Sequence, residues 1–66
     1  MKTPKIKTKL LATSTSVEGL QILINSYFYS TTKKIDGENV LNGDGMPLTG
    51  YRVVNKGGKF RFEEII

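Results

Sequence analysis

Tyr51-Arg52-Val53-Val54-Asn55-Lys56-Gly57-Gly58-Lys59-Phe60-Arg61-Phe62-Glu63 is the stretch that decides the fold. Apolar and charged residues alternate on both sides of a glycine-rich turn at Asn55–Gly58, the pattern of a β-hairpin, because successive side chains on a strand point to opposite faces. Tyr51 and Val53 share one face and Phe60 and Phe62 share one. Arg52, Lys59 and Arg61 take the alternate positions. The rest of the chain must supply whatever covers the apolar side.

Upstream, Asp36 to Gly50 is dominated by turn chemistry: Asp36-Gly37, Asn42-Gly43, Asp44-Gly45, Pro47 and Gly50. Asn-Gly and Asp-Gly suit turns with positive φ. Val40-Leu41 is expected to pair briefly with Pro47-Leu48 across Asn42–Gly45, and residues 30–35, rich in strand-favouring types, read as a strand.

Before that strand, Thr15-Ser16-Val17-Glu18 fits a capping box, in which hydroxyl and carboxylate satisfy orphan N–H groups at a helix start. From Val17, the residues Leu20, Leu23, Ile24, Tyr27 and Phe28 recur at helical spacing, so a helix over 16–27 should bury this stripe. Ile22 falls nearly opposite it. No glycine marks the helix end. Residues 5–12 alternate lysine with Ile6, Thr8, Leu10 and Ala12, which reads as a first strand with a lysine face and an apolar face.

These elements predict an α+β fold: a small, mostly antiparallel twisted sheet of three to five strands with one helix packed on one face, in β-α-β-β-β order. The 66 residues make a single domain over 1–66, with 1–4 expected to form a flexible basic tail. A chain this short buries only about 60% of the surface its unfolded form exposes, so its stability margin is thin. It has no cysteine and no histidine, which leaves a tight core or a partner subunit as its support.

The formal net charge is +4. Four of the ten basic residues, Lys2, Lys5, Lys7 and Lys9, lie in the first nine positions; the remaining six are matched by the six acids. The amino end lacks the apolar run of a secretory signal, and no stretch has the roughly 18–20 apolar residues of a membrane span. A cytoplasmic protein without membrane association is the expectation.

Enzyme chemistry is argued against by omission. No histidine or cysteine offers proton transfer or nucleophilic attack; Asp36 and Glu38 fall in turn sequence, where side chains are usually solvated, and Glu63 and Glu64 are strand neighbours that point to opposite faces. Asn42-Gly43-Asp44-Gly45 resembles part of a calcium loop, but in that register Val40 and Tyr51 would stand where oxygen ligands are required. Gly57-Gly58-Lys59 runs into a strand rather than the helix a phosphate-binding loop needs. No cofactor, metal or small-molecule substrate is expected.

What remains is a binding module. Strand faces bearing cations near aromatic rings neutralise phosphates and stack on bases. The candidates for nucleic-acid contact are Lys5, Lys7, Lys9, Lys33, Lys34, Arg52, Lys59 and Arg61, with Tyr29 and Tyr51 as stacking groups. The alternative is a protein-interaction module, a homodimer, adaptor or inhibitor such as small phage and mobile-element genes encode, using Ile22 and Tyr29 as partner-surface residues. The plainest reading makes Phe60 and Phe62 core, the arginines a solvated face, and the lysines of strand one a guard against edge aggregation.

Overall fold

The computed structural model describes residues 7–66; the expected basic tail at 1–4 and the candidate Lys5 lie outside them. The elements are β1 (Thr8–Ser14), α1 (Val17–Phe28), β2 (Lys34–Asp36), β3 (Asn39–Leu41), β4 (Tyr51–Lys56) and β5 (Lys59–Ile65). The strands form two antiparallel sheets, one of three strands in the order β1-β5-β4 and one hairpin of β2 and β3. The helix packs across β1 and β5. This is the small α+β architecture the sequence predicts, with five strands in β-α-β-β-β-β order.

The last hairpin forms as read. Lys56 and Lys59 close a two-residue turn in which Gly57 and Gly58 both take positive φ, 61° and 86°; this matches the twist of the flanking strands. Val53 stands opposite Phe62, so Tyr51 and Val53 share the helix-facing side with Phe60 and Phe62.

Strand one departs from simple alternation. Its register with β5 runs Thr8 to Ile65, Lys9 to Glu64, Leu10 to Glu63, then skips Leu11 and resumes with Ala12 opposite Phe62. A bulge places two residues against one on the partner strand and resets which face follows. Leu10 and Ala12, expected on one apolar face, therefore lie on opposite faces. Ala12 points to the core with Leu11 packed beside it, and Leu10 is exposed on the far side.

The helix starts one residue later than expected. Ser16, not Thr15, is the N-cap, and its hydroxyl accepts from the Gly19 N–H at 3.0 Å. Glu18 is thus one position short of closing a capping box, although its charge still favours the first turn. Gly19 stands where the box would need a carboxylate because the first turn lies against the end of β1: a Cβ there would meet the Ser14 Oγ at 2.4 Å.

At the other end, Tyr29 takes the left-handed conformation usual for glycine (φ 52°, ψ 46°). Its N–H donates to the Ser26 carbonyl (3.2 Å) and that of Ser30 to the Asn25 carbonyl (2.8 Å), the two bonds of a Schellman motif. For a residue with a Cβ this conformation costs roughly 1–2 kcal/mol.

Leu20, Ile24, Val40, Val53 and Phe62 form the buried core, each fully buried apolar side chain contributing about 1.5–3 kcal/mol. Of the expected stripe, Leu23 and Tyr27 remain 41% and 43% exposed, because a narrow three-stranded sheet leaves the helix flanks in solvent. Tyr27 nonetheless joins Phe28, Tyr51 and Phe62 in an edge-to-face and stacked cluster with centroids 4.9–6.4 Å apart.

The second strand is shorter than the expected 30–35, since the main chain of that segment is engaged elsewhere. Asn25 Oδ1 accepts the Lys33 N–H (2.9 Å), Gln21 Oε1 accepts the Ile35 N–H (2.9 Å), and the side-chain amides of Gln21 and Asn25 both donate to the Lys33 carbonyl. Pairing with β3 begins only at Lys34. The anticipated contact of Val40-Leu41 with Pro47-Leu48 is present as a Leu41–Pro47 bridge and a Leu48 N–H bond to the Val40 carbonyl.

Candidate functional site

Alternation along β4 and β5 puts Arg52, Val54 and Lys56 beside Lys59, Arg61, Glu63 and Ile65 on the face opposite the helix. Thr8, Leu10 and Thr13 of β1 continue it. Among the described residues no second layer covers this face.

Its centre is Glu63, only 4% exposed. Arg61 Nε donates to Glu63 Oε2 at 2.8 Å and Arg52 Nε to Oε1 at 3.0 Å. The hydrogen bond from Arg61 holds the carboxyl below its ordinary range against the opposing effect of burial, helped by bonds from Arg52 and Thr8. A carboxylate so engaged is a structural clamp rather than a proton donor.

The clamp fixes where the arginines point. Each meets Glu63 through Nε, and each side chain is about a third exposed, 33% for Arg52 and 36% for Arg61. Among the described residues there is no other ion pair, so the terminal guanidinium nitrogens have no carboxylate partner. With Lys56 and Lys59 at the turn, the outer side of the hairpin presents four cations, two of which share the Glu63 carboxylate. Lys56 joins the residues singled out from the sequence, and alternation alone could have supplied it, since it follows Arg52 by four residues and so shares its face.

The other candidates lie elsewhere. Lys9 is on the helix side of the sheet, directly across from Glu64, and Lys7 belongs to the same alternate set. Lys34 is exposed on the small hairpin. The Lys33 ammonium lies 5.5 Å from the centre of the Phe28 ring and within 3.5 Å of Ser30 Oγ. Tyr51 is stacked on Phe62 at 5.5 Å, its ring on the helix side, and burial together with Tyr27 and Glu64 raises its hydroxyl pKa above 10.0. The structure thus gathers Arg52, Lys59 and Arg61 and separates them from the amino-terminal lysines and from every core aromatic ring.

Ile22 and Tyr29 are brought together. They lie seven residues apart on the outward side of the helix end and, with Asn25, Ser26, Ser30 and Thr31, line a shallow depression of about 600 Å³. A second cavity, of about 500 Å³, lies between the Gly37–Glu38 turn and the edge of β4.

The loop resembling a calcium site turns its oxygen inward: Asn42 Oδ1 accepts the N–H groups of Asp44 (2.9 Å) and Met46 (3.1 Å). Among the described residues no three acidic side chains gather as a metal would need, and no helix is long and apolar enough to cross a membrane. Comparison of the chain with protein families, curated proteins and solved structures finds no match.

Proposed function

We propose that this chain is a small non-enzymatic binding module that engages nucleic acid through the outer face of its β4–β5 hairpin. The observation that carries this reading is the clamp at Glu63. It holds two guanidiniums side by side through Nε and leaves their outer nitrogens for a second anion, and a phosphate matches that fork bidentately. Lys56 and Lys59 extend the positive field toward the turn.

The face has no aromatic ring, so its contacts are with phosphates and not with unstacked bases. Binding of this kind is sequence-independent and strongly salt-dependent, with a slope of about 0.9 per phosphate neutralised on duplex DNA. Lys7 and Lys9, on the opposite face, add attraction at long range without sharing the contact.

Fluorescence anisotropy against a mixed-sequence DNA duplex and a single-stranded RNA tests the reading. Affinity for the duplex is expected to fall steeply between about 50 and 200 mM salt, and the Lys56→Gln/Lys59→Gln variant to show a slope smaller by about 0.9 for each phosphate it no longer neutralises. No binding at low salt, or binding indifferent to that variant, overturns the proposal.

A further inference from the structure

We infer that the outward face of α1 is a self-association surface, on which a second copy of this chain docks with its helix antiparallel and Tyr29 as the anchoring side chain. The inference is independent of nucleic-acid binding, which uses the opposite side of the molecule.

Its first support is a conformational anomaly. Tyr29 occupies the one left-handed position among the non-glycine residues described, where glycine would close the helix without strain. Its side chain returns nothing to the fold: it is 98% exposed. A bulky ring held in a disfavoured conformation and touching no core residue is strain of the kind that gathers at functional positions. Tyrosine is also a residue type that anchors protein interfaces.

The second support is the neighbourhood. Ile22, 67% exposed, and Tyr29 flank a depression whose other lining residues, Asn25, Ser26, Ser30 and Thr31, carry no charge. The lining itself offers a strongly charged partner no ion pair, and the charges that flank it, Glu18 and Lys33, are one of each sign.

Charge selects the occupant. The outer sheet face cannot meet itself, because Arg52, Lys56, Lys59 and Arg61 would oppose their own copies around a two-fold axis. The helix face can. Glu18 lies in the first turn, and the Lys33 ammonium sits beyond the last turn at Ser30, so an antiparallel pair sets the acid of each copy toward the cation of the other. The antiparallel helix dipoles add to this. A two-fold axis makes the contact self-complementary, the commonest form of oligomer. The chain also gains the burial that its few fully enclosed side chains do not supply.

Sedimentation equilibrium over a concentration series, with thermal melts of dilute samples, tests the inference on the wild type, Ile22→Gln and Tyr29→Gly. The wild type is expected to show a reversible monomer–dimer equilibrium, and each variant a dimer dissociation constant raised about tenfold or more. Tyr29→Gly carries a second, opposite readout: relief of the left-handed backbone raises the melting temperature of the dilute monomer by several degrees while dimerisation is lost. A wild type that stays monomeric throughout, a dimer that survives either substitution, or a Tyr29→Gly monomer that melts lower than wild type overturns it.

Discussion

The side chain of Asn25 pairs with the main chain of Lys33 as a neighbouring strand would: its Oδ1 accepts the Lys33 N–H at 2.9 Å and its Nδ2 donates to the Lys33 carbonyl at 3.2 Å. Gln21, one turn earlier, treats the Lys33 carbonyl and the Ile35 N–H in the same manner. Two helical carboxamides thus stand in for a strand and fasten the β2–β3 hairpin to the rest of the domain. Asn25→Ala is expected to lower stability by about 1–3 kcal/mol, because it strands half-buried main-chain groups. Urea unfolding measures the loss, and the Lys33 amide should exchange with solvent well before those of β5. Unchanged exchange at Lys33 would show that the pairing does not hold the hairpin.

Glu63 gives the fold an acid-sensitive point. Its folded pKa lies below the ordinary 4.5, so the unfolded chain takes up this proton first as pH falls. The stabilisation is complete above the ordinary value and is lost as pH drops through the folded one. Glu63→Gln should cost about 1.5–3 kcal/mol near neutrality, a range typical of hydrogen bonds to charged groups. Its stability should then vary less with pH in the acid range. Chemical denaturation at a series of acid pH values checks both; a variant with the acid profile of the wild type would refute the clamp.

Tyr51 acts at the alkaline end. Burial, with Tyr27 and Glu64 nearby, raises its pKa above 10.0, so the fold favours the neutral phenol. The contribution is whole below 10.0 and disappears as pH rises through the folded value. Tyr51→Phe should melt with a flatter dependence on pH above 10.0 than the wild type, as read by circular dichroism.

Gly19 should resist replacement despite its helical position. Alanine there improves intrinsic helix propensity by about 1 kcal/mol, yet its Cβ would meet Ser14 Oγ at 2.4 Å, and overpacking of this kind costs roughly 1–3 kcal/mol. Gly19→Ala is therefore expected to be less stable than wild type, and Ser14→Ala/Gly19→Ala to recover the loss. A stabilised single variant would mean that the hydroxyl swings aside freely.

Much of this was legible in the chain. The hairpin from Tyr51 to Glu63 announces itself because strand alternation and a glycine pair in the turn are local signals. The helix stripe does so through its spacing. Signals of opposite sense were not legible: Leu11 reads as one more apolar residue, although it is the extra residue of a bulge. Arg52, Lys59 and Arg61 were found from alternation, but their separation from Lys7 and Lys9 required the register between β1 and β5, which brings together residues some fifty positions apart.

By itself, then, the sequence determined the α+β class with its one helix and final hairpin, the side of that hairpin that turns inward, and the outward position of Ile22, since each follows from the periodicity of neighbouring residues; the pairing of β2 with β3 was not among them. The tertiary structure alone decided that Glu63 would sit between two arginines, that Gln21 and Asn25 would hold a second sheet, and that Tyr29 would close the helix. The first two outcomes depend on which groups on neighbouring elements come within hydrogen-bond reach, and the third on a left-handed turn that a tyrosine does not signal, since glycine is the residue that usually marks it.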